Sequence, residues 1–191
     1  MPEHRAERGG VEADHVPIVG WRAVEPGDEK QSLRRDMRAV RRTVAADEQA
    51  RSARSRTMWD SVVDEIVGRL GDSRSLKMML YQSLPTEPDT STWFDDATGR
   101  GWSIHLPEVD GVELRVMPGD IDPGTLDVVV FPGLAFTSDG RRLGQGGGHY
   151  DRFATRLATS CVRIGTCFRE QLVEDLPTSA HDESVDVVVT A

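Results

Sequence analysis

Apolar residues recur along this chain in two rhythms, helical in the first third and strand-like beyond it. Leu33, Met37, Val40 and Val44 fall at i, i+4, i+7 and i+11, which lays one apolar stripe along a helix. Asp28 followed by Gln31 is a capping-box pattern, and it predicts that this helix starts just after Pro26–Gly27. A second helix is predicted from about Asp47 to Leu70, with Met58, Val62, Ile66 and Leu70 on one face and Gly71–Asp72 ending it. Short apolar runs then take over. Leu76–Tyr81, Trp102–Leu106, Val112–Val116, Leu126–Phe131, Val162–Cys167 and Val185–Thr190 read as strands, the second of them stopped by Pro107. Leu126–Phe131 is the clearest, because an unbroken β-branched run suits a strand buried on both faces. A loop over 85–90, a short helix over Thr90–Gly99 and a helix over Tyr150–Ala158 complete the reading.

Strands alternating with helices, several of them apolar throughout, predict an α/β protein. Its central sheet is mostly parallel with helices on both faces, a Rossmann-like three-layer arrangement. Residues 28–191 form one such domain. Residues 1–27 hold prolines, glycines and scattered charges without a period, and are expected to be a flexible N-terminal extension.

Charge narrows the range of partners. The chain has 191 residues, with 23 Lys and Arg against 32 Asp and Glu, for a net charge of −9. Such a chain is poorly suited to duplex nucleic acid or an anionic membrane, whose phosphates call for clustered cations. The stretch from Lys30 to Arg56 is the exception, with nine Lys and Arg, and could serve a phosphate ligand. Cys161 and Cys167 stand in an apolar run without nearby Cys or His, so they read as small buried hydrophobes. No apolar stretch approaches the roughly 20 residues of a membrane span, and the polar N-terminus lacks a signal-peptide core. A cytoplasmic monomer is the expectation.

The most informative segment is DVVVFPGLAFTSDGRRLGQGGGHYDR. A buried strand ends at Phe131–Pro132, and Gly144, Gln145, Gly146, Gly147 and Gly148 then lead into a helix beginning at about His149. Consecutive glycines let backbone N–H groups converge on an anion, and the helix N-terminus adds unpaired donors. Phosphate is the expected ligand, with Arg142 as a charged clamp. A merely flexible glycine loop fits the same spacing. Asp151 in the first helical turn has two readings: it complements the helix dipole, or it holds Mg²⁺ against phosphates. The spacing is neither a Walker A motif nor a dinucleotide fingerprint, since no GK[ST] follows and no acid lies about twenty residues on.

The run Pro132-Gly133-Leu134-Ala135-Phe136, then Gly140, then Arg142-Leu143-Gly144-x-Gly146-Gly147-Gly148-x-Tyr150-Asp151-Arg152, resembles the signature of the 5-formyltetrahydrofolate cyclo-ligase family. Lys30-Gln31-Ser32-Leu33-Arg34 is similar to that family's N-terminal K-x-x-L-R, and Lys30 and Arg34, four apart, share one helix face. The resemblance implies an ATP- and Mg²⁺-dependent ligase that turns 5-formyltetrahydrofolate into 5,10-methenyltetrahydrofolate, ADP and phosphate. It implies ATP contacts from Lys30, Arg34, Arg142, the residues from Gly144 to Gly148, His149 and Tyr150. Lys30 and Arg142 would act in catalysis. It further implies folate contacts from Gln82 and Glu87, and Mg²⁺ ligands at Asp151 and Asp186, with His181-Asp182 also matching. The partner implied is a small-molecule reduced folate. The chain departs from the pattern at His149, where the family usually has an aromatic residue, at Thr137, and in a shortened segment between Pro107 and Leu126. A relative that keeps the ATP site but acts on another small metabolite, or has lost the cyclo-ligase step, fits the same residues.

Overall fold

In the computed structural model, residues 26–72 and 75–191 are described. The extension expected over 1–27 lies outside them, apart from Pro26 and Gly27, which open helix α1 (Pro26–Val44). The helix thus begins two residues before Asp28, which sits with Glu29 inside its first turn instead of capping it. Proline is favoured there because its missing N–H would have no intrahelical acceptor. Helix α2 (Glu48–Leu70) starts as expected: the Asp47 side chain accepts from the Ala50 N–H at 2.9 Å.

Strand β1 (Lys77–Met79) precedes helix α3 (Ser91–Gly99), strand β2 (Ser103–Asp110) and strand β3 (Glu113–Met117). Then come β4 (Val128–Pro132), the two-residue strands β5 (Ala135–Phe136) and β6 (Arg142–Leu143), helix α4 (His149–Ala154), β7 (Val162–Cys167) and β8 (Val187–Thr190). Six of the strands form one sheet in the order β3-β2-β1-β4-β7-β8, parallel except for β3 at one edge. This is the expected three-layer α/β fold.

Alternation along the strands builds two cores. Met78, Leu80, Val128, Val130 and Ile164 pack with Met58, Val62 and Ile66 of α2 and Trp93 of α3. Trp59 and Trp93 stack there with ring centroids 5.2 Å apart. The intervening Met79, Val129 and Phe131 face the other way, toward Phe153, Ala154, Cys161 and Cys167. Each fully buried side chain of this size contributes about 1.5–3 kcal/mol. Both cysteines are free and buried, and burial pushes each thiol up to about 12.

Strand β2, helix α4 and the short strands β5 and β6 differ from the sequence expectation. Strand β2 runs through Pro107 to Asp110 instead of stopping. Beyond His105 it pairs only with β3, and a strand with one free side tolerates a proline. Helix α4 ends at Ala154, four residues early, where the Thr155 hydroxyl donates to the Arg152 carbonyl and the next turns tighten to i+3 bonds. Strands β5 and β6 were not expected, because two residues carry no period. No described helix is long and apolar enough to cross a membrane.

The topology also sets where a ligand fits. From β1 the sheet is extended to one side by β2 and to the other by β4. Such a reversal opens a crevice beyond the C-terminal ends of the two strands.

Candidate active site

Helix α1 is docked against the glycine loop through its basic residues. Arg34 Nε donates to the Gly144 carbonyl at 3.0 Å, and Arg38 Nη2 to the Gln145 carbonyl at 3.2 Å. One turn earlier, Lys30 Nζ donates to the Ser179 hydroxyl at 2.9 Å and forms an ion pair with Asp182. The chain thereby brings an N-terminal helix, the loop at 144–148 and the segment at 179–183 to one place.

The loop enters α4 through Gly148, whose φ of 66° is the left-handed conformation that glycine adopts most readily. Helix α4 has only six residues, so its dipole adds little positive potential at the loop beside the cations of α1. On its far side the loop is tied to the β2–β3 turn. His149 Nε2 lies 3.3 Å from the Gly111 carbonyl, and Arg152 Nη2 donates to the carbonyls of Val112 at 2.7 Å and Gly147 at 2.9 Å. His149 therefore has a role suited to an imidazole: it meets the turn of the shortened 107–126 segment.

Two cavities adjoin in the crevice. The larger, about 980 Å³, is lined by Lys30, Arg34, Arg152, Arg156 and Asp182 among others. The smaller, about 200 Å³, is walled by Glu87, Pro107, Val109, Leu114 and Tyr150. Arg142, Gly144, Gly148 and Asp151 line both. Arg142 Nη2 donates to Asp151 Oδ1 at 2.6 Å and Nη1 to the Pro132 carbonyl at 3.2 Å, while its guanidinium lies 5.7 Å from the ring centres of Phe131 and Tyr150. Its Nε is buried with no hydrogen-bond partner among the described residues. Burial pushes the Tyr150 hydroxyl well above its ordinary value, so it stays a neutral donor.

Not every residue singled out from the sequence reaches this crevice. Gln82 is exposed on the loop after β1 and lines neither cavity. Asp186 is likewise outside: its Oδ2 accepts from the Arg163 N–H at 2.7 Å, near the beginning of β7. The cavities open beyond the ends of β1 and β4, so Asp186 does not join Asp151. From this segment Asp182 and Glu183 line the cavity, and Asp182 faces Lys30 there. Burial raises the Asp182 pKa, but hydrogen bonds from Lys30 and the Ser179 N–H outweigh that and hold it below the usual carboxylate range. Two aspartates four residues apart look alike in sequence; the pairing of Val185 with Gly140 and of Asp186 with Arg163 separates them.

Among the described residues, carboxylate oxygens line the larger cavity without forming a closed metal cage. Asp151 and Asp182 line the larger cavity, yet no group of three or more His, Cys, Asp or Glu among the described residues could hold an ion alone. Mg²⁺ commonly takes one or two carboxylates and completes its shell with phosphates and water.

Comparison with known proteins agrees with the motif. Residues 118–191 match the model of the 5-formyltetrahydrofolate cyclo-ligase family. The match covers less than half of the chain, which is similar to that family over this stretch. A mouse 5-formyltetrahydrofolate cyclo-ligase is 34% identical over 96 residues, a stretch covering 46% of this chain and 43% of the mouse protein. The chain thus spans less than half the length of that relative. A mitochondrial 5-formyltetrahydrofolate cyclo-ligase of Arabidopsis thaliana is 23% identical over 91% of this chain and 81% of its own length. Among solved structures, a 5,10-methenyltetrahydrofolate synthetase from Mycoplasma pneumoniae superimposes with a TM-score of 0.74 at 20% identity, covering 84% of this chain and 98% of that one. At that identity the superposition speaks for the fold alone.

Proposed function

We propose that this protein is an ATP- and Mg²⁺-dependent 5-formyltetrahydrofolate cyclo-ligase, releasing 5,10-methenyltetrahydrofolate, ADP and phosphate. One observation carries the reading: a cationic cavity and a smaller, more apolar one adjoin, and Arg142 and Asp151 line both. Activation by phosphoryl transfer needs a triphosphate and an acceptor oxygen held in contact, with little covalent help from the protein.

The larger cavity suits ATP. Lys30, Arg34 and Arg142 supply cations, and the backbone from Gly144 to Gly148, with His149 and Tyr150 following, frames the phosphates. The smaller cavity suits the reduced pterin, with Glu87 as acceptor and Pro107, Val109 and Leu114 as apolar walls. The formyl oxygen on N5 attacks the γ-phosphorus, and the bond from that phosphorus to ADP breaks. N10 then attacks the formyl carbon and gives up its proton, and phosphate leaves with the former formyl oxygen. Lys30 and Arg142 offset charge on the group in transfer, which is where preorganised cations act most strongly. Asp151 and Asp182 would hold Mg²⁺, which when bound neutralises phosphate charge. The reading includes a monomer working in the cytoplasm on a small-molecule substrate, and the net charge of −9 disfavours anionic partners.

Mixing purified protein with 5-formyltetrahydrofolate and Mg-ATP, and following methenyltetrahydrofolate by absorbance, tests the proposal. Turnover by the wild type, lost in Lys30→Ala and Arg142→Ala, supports it. Nucleotide binding without turnover points instead to a relative acting on another metabolite.

A further inference from the structure

The small cavity ends at a carboxylate that is clamped from outside the cavity. Glu87 and Arg41 are both buried, with side chains 7% and 5% exposed, and Arg41 Nη1 donates to Glu87 Oε1 at 2.9 Å. The second oxygen, Oε2, accepts from the Leu84 N–H at 2.9 Å, and Arg51 Nε holds the Glu87 carbonyl at 2.8 Å. Glu87 lines the cavity; Arg41 does not.

We infer that Arg41 is a positioning residue: it fixes the Glu87 carboxylate in one rotamer to receive the donors of the pterin. The inference rests on the folate reading above. A carboxylate offers about four acceptor sites, and the two bonds here leave the others for a ligand. A buried carboxylate without a hydrogen-bonded partner swings toward water, which takes its acceptor oxygens out of the cavity wall. Arg41 prevents this. The Tyr81 hydroxyl is held neutral by burial and brings no compensating charge. Arg41 Nε has no partner among the described residues, so the guanidinium is held by this pair more than by a structural network.

The placement on α1 supports the assignment. Lys30, Arg34 and Arg41 stand at i, i+4 and i+11, a spacing that keeps all three on one helix face. The first two line the larger cavity, and the third holds the end wall of the smaller one. A single helix thus sets the electrostatics of both.

Steady-state kinetics of the full chain with 5-formyltetrahydrofolate and Mg-ATP test this in Arg41→Met, Arg41→Lys and the double variant Arg41→Met/Glu87→Gln. Arg41→Met is expected to raise the KM for the folate about tenfold or more while the KM for ATP stays within about twofold. Arg41→Lys, which keeps the charge, is expected to recover most of that loss. The double variant removes the stranded buried acid and so regains thermal stability, but not folate affinity. A folate KM in Arg41→Met within about twofold of wild type overturns the inference. So does a parallel loss of both substrates' kinetics that the double variant repairs together with stability, the result of a purely structural pair. If the wild type itself does not turn over 5-formyltetrahydrofolate, the functional reading fails and carries this inference with it, an outcome distinct from the other two.

Discussion

Arg34 Nε and the Gly144 carbonyl meet at 3.0 Å although 110 residues separate them in sequence. This bond joins α1 to the first glycine of the loop and places the Arg34 guanidinium in the wall of the larger cavity. Hydrogen bonds from a charged donor are worth about 1.5–3 kcal/mol, twice or more the neutral value. Arg34→Ala is therefore expected to raise the KM for ATP by about tenfold or more, with Arg34→Lys intermediate, because an ammonium keeps charge but lacks the fork. Unchanged ATP affinity in isothermal titration would contradict the assignment.

The two aspartates of the C-terminal segment should behave differently. Asp182→Asn removes the partner of Lys30 in the larger cavity, and is expected to weaken Mg-ATP binding and slow turnover. Asp186→Asn sits outside both cavities, and an amide oxygen can still accept from the Arg163 N–H. Its kinetics should match the wild type. Titration of Mg²⁺ in the presence of ATP distinguishes the pair; equal losses would return Asp186 to the site.

Gly140 is expected to be the most sensitive glycine of the loop region for folding. Its φ is 90°, and a Cβ there would lie 2.2 Å from the Val185 carbonyl oxygen, a backbone atom that cannot move aside. Gly140→Ala should cost about 2–4 kcal/mol, from the left-handed backbone and the displaced segment together. The melting temperature measures it. A shift of less than about 2 °C would mean that the turn adapts freely.

The cysteines give a pH window. Burial pushes both thiols from an ordinary 9.0 to about 12, so the folded chain favours the neutral form. As pH rises past 9 the unfolded chain loses these protons first, and the stability they confer declines between about 9 and about 12. In native buffer at pH 8, neither thiol should react with a thiol reagent within minutes, whereas both should react at once in denaturant. Rapid labelling of the native protein would show that Cys161 and Cys167 are reached without unfolding.

Local patterns alone settled much of this molecule. The period of Met58, Val62 and Ile66, closed by Asp47 and Gly71, specified α2 almost to the residue, since caps and stripes act within a few residues. The β-branched run before Phe131 specified the central strand, and the glycine run with Arg142 and Asp151 located the crevice, because loop chemistry is written contiguously. Lys30 and Arg34 were readable as one helix face.

What the crevice does with these residues was decided by contacts between distant segments. Strand pairing moved Asp186 away and left Asp182 beside Lys30. The loop after β1 kept Glu87 at the cavity wall and turned Gln82 to solvent. Arg41 was one of nine basic residues in the stretch from Lys30 to Arg56, with nothing to single it out until burial against Glu87 gave it a task. Charge pairing and burial depend on which surfaces meet, and only the folded chain brings them together.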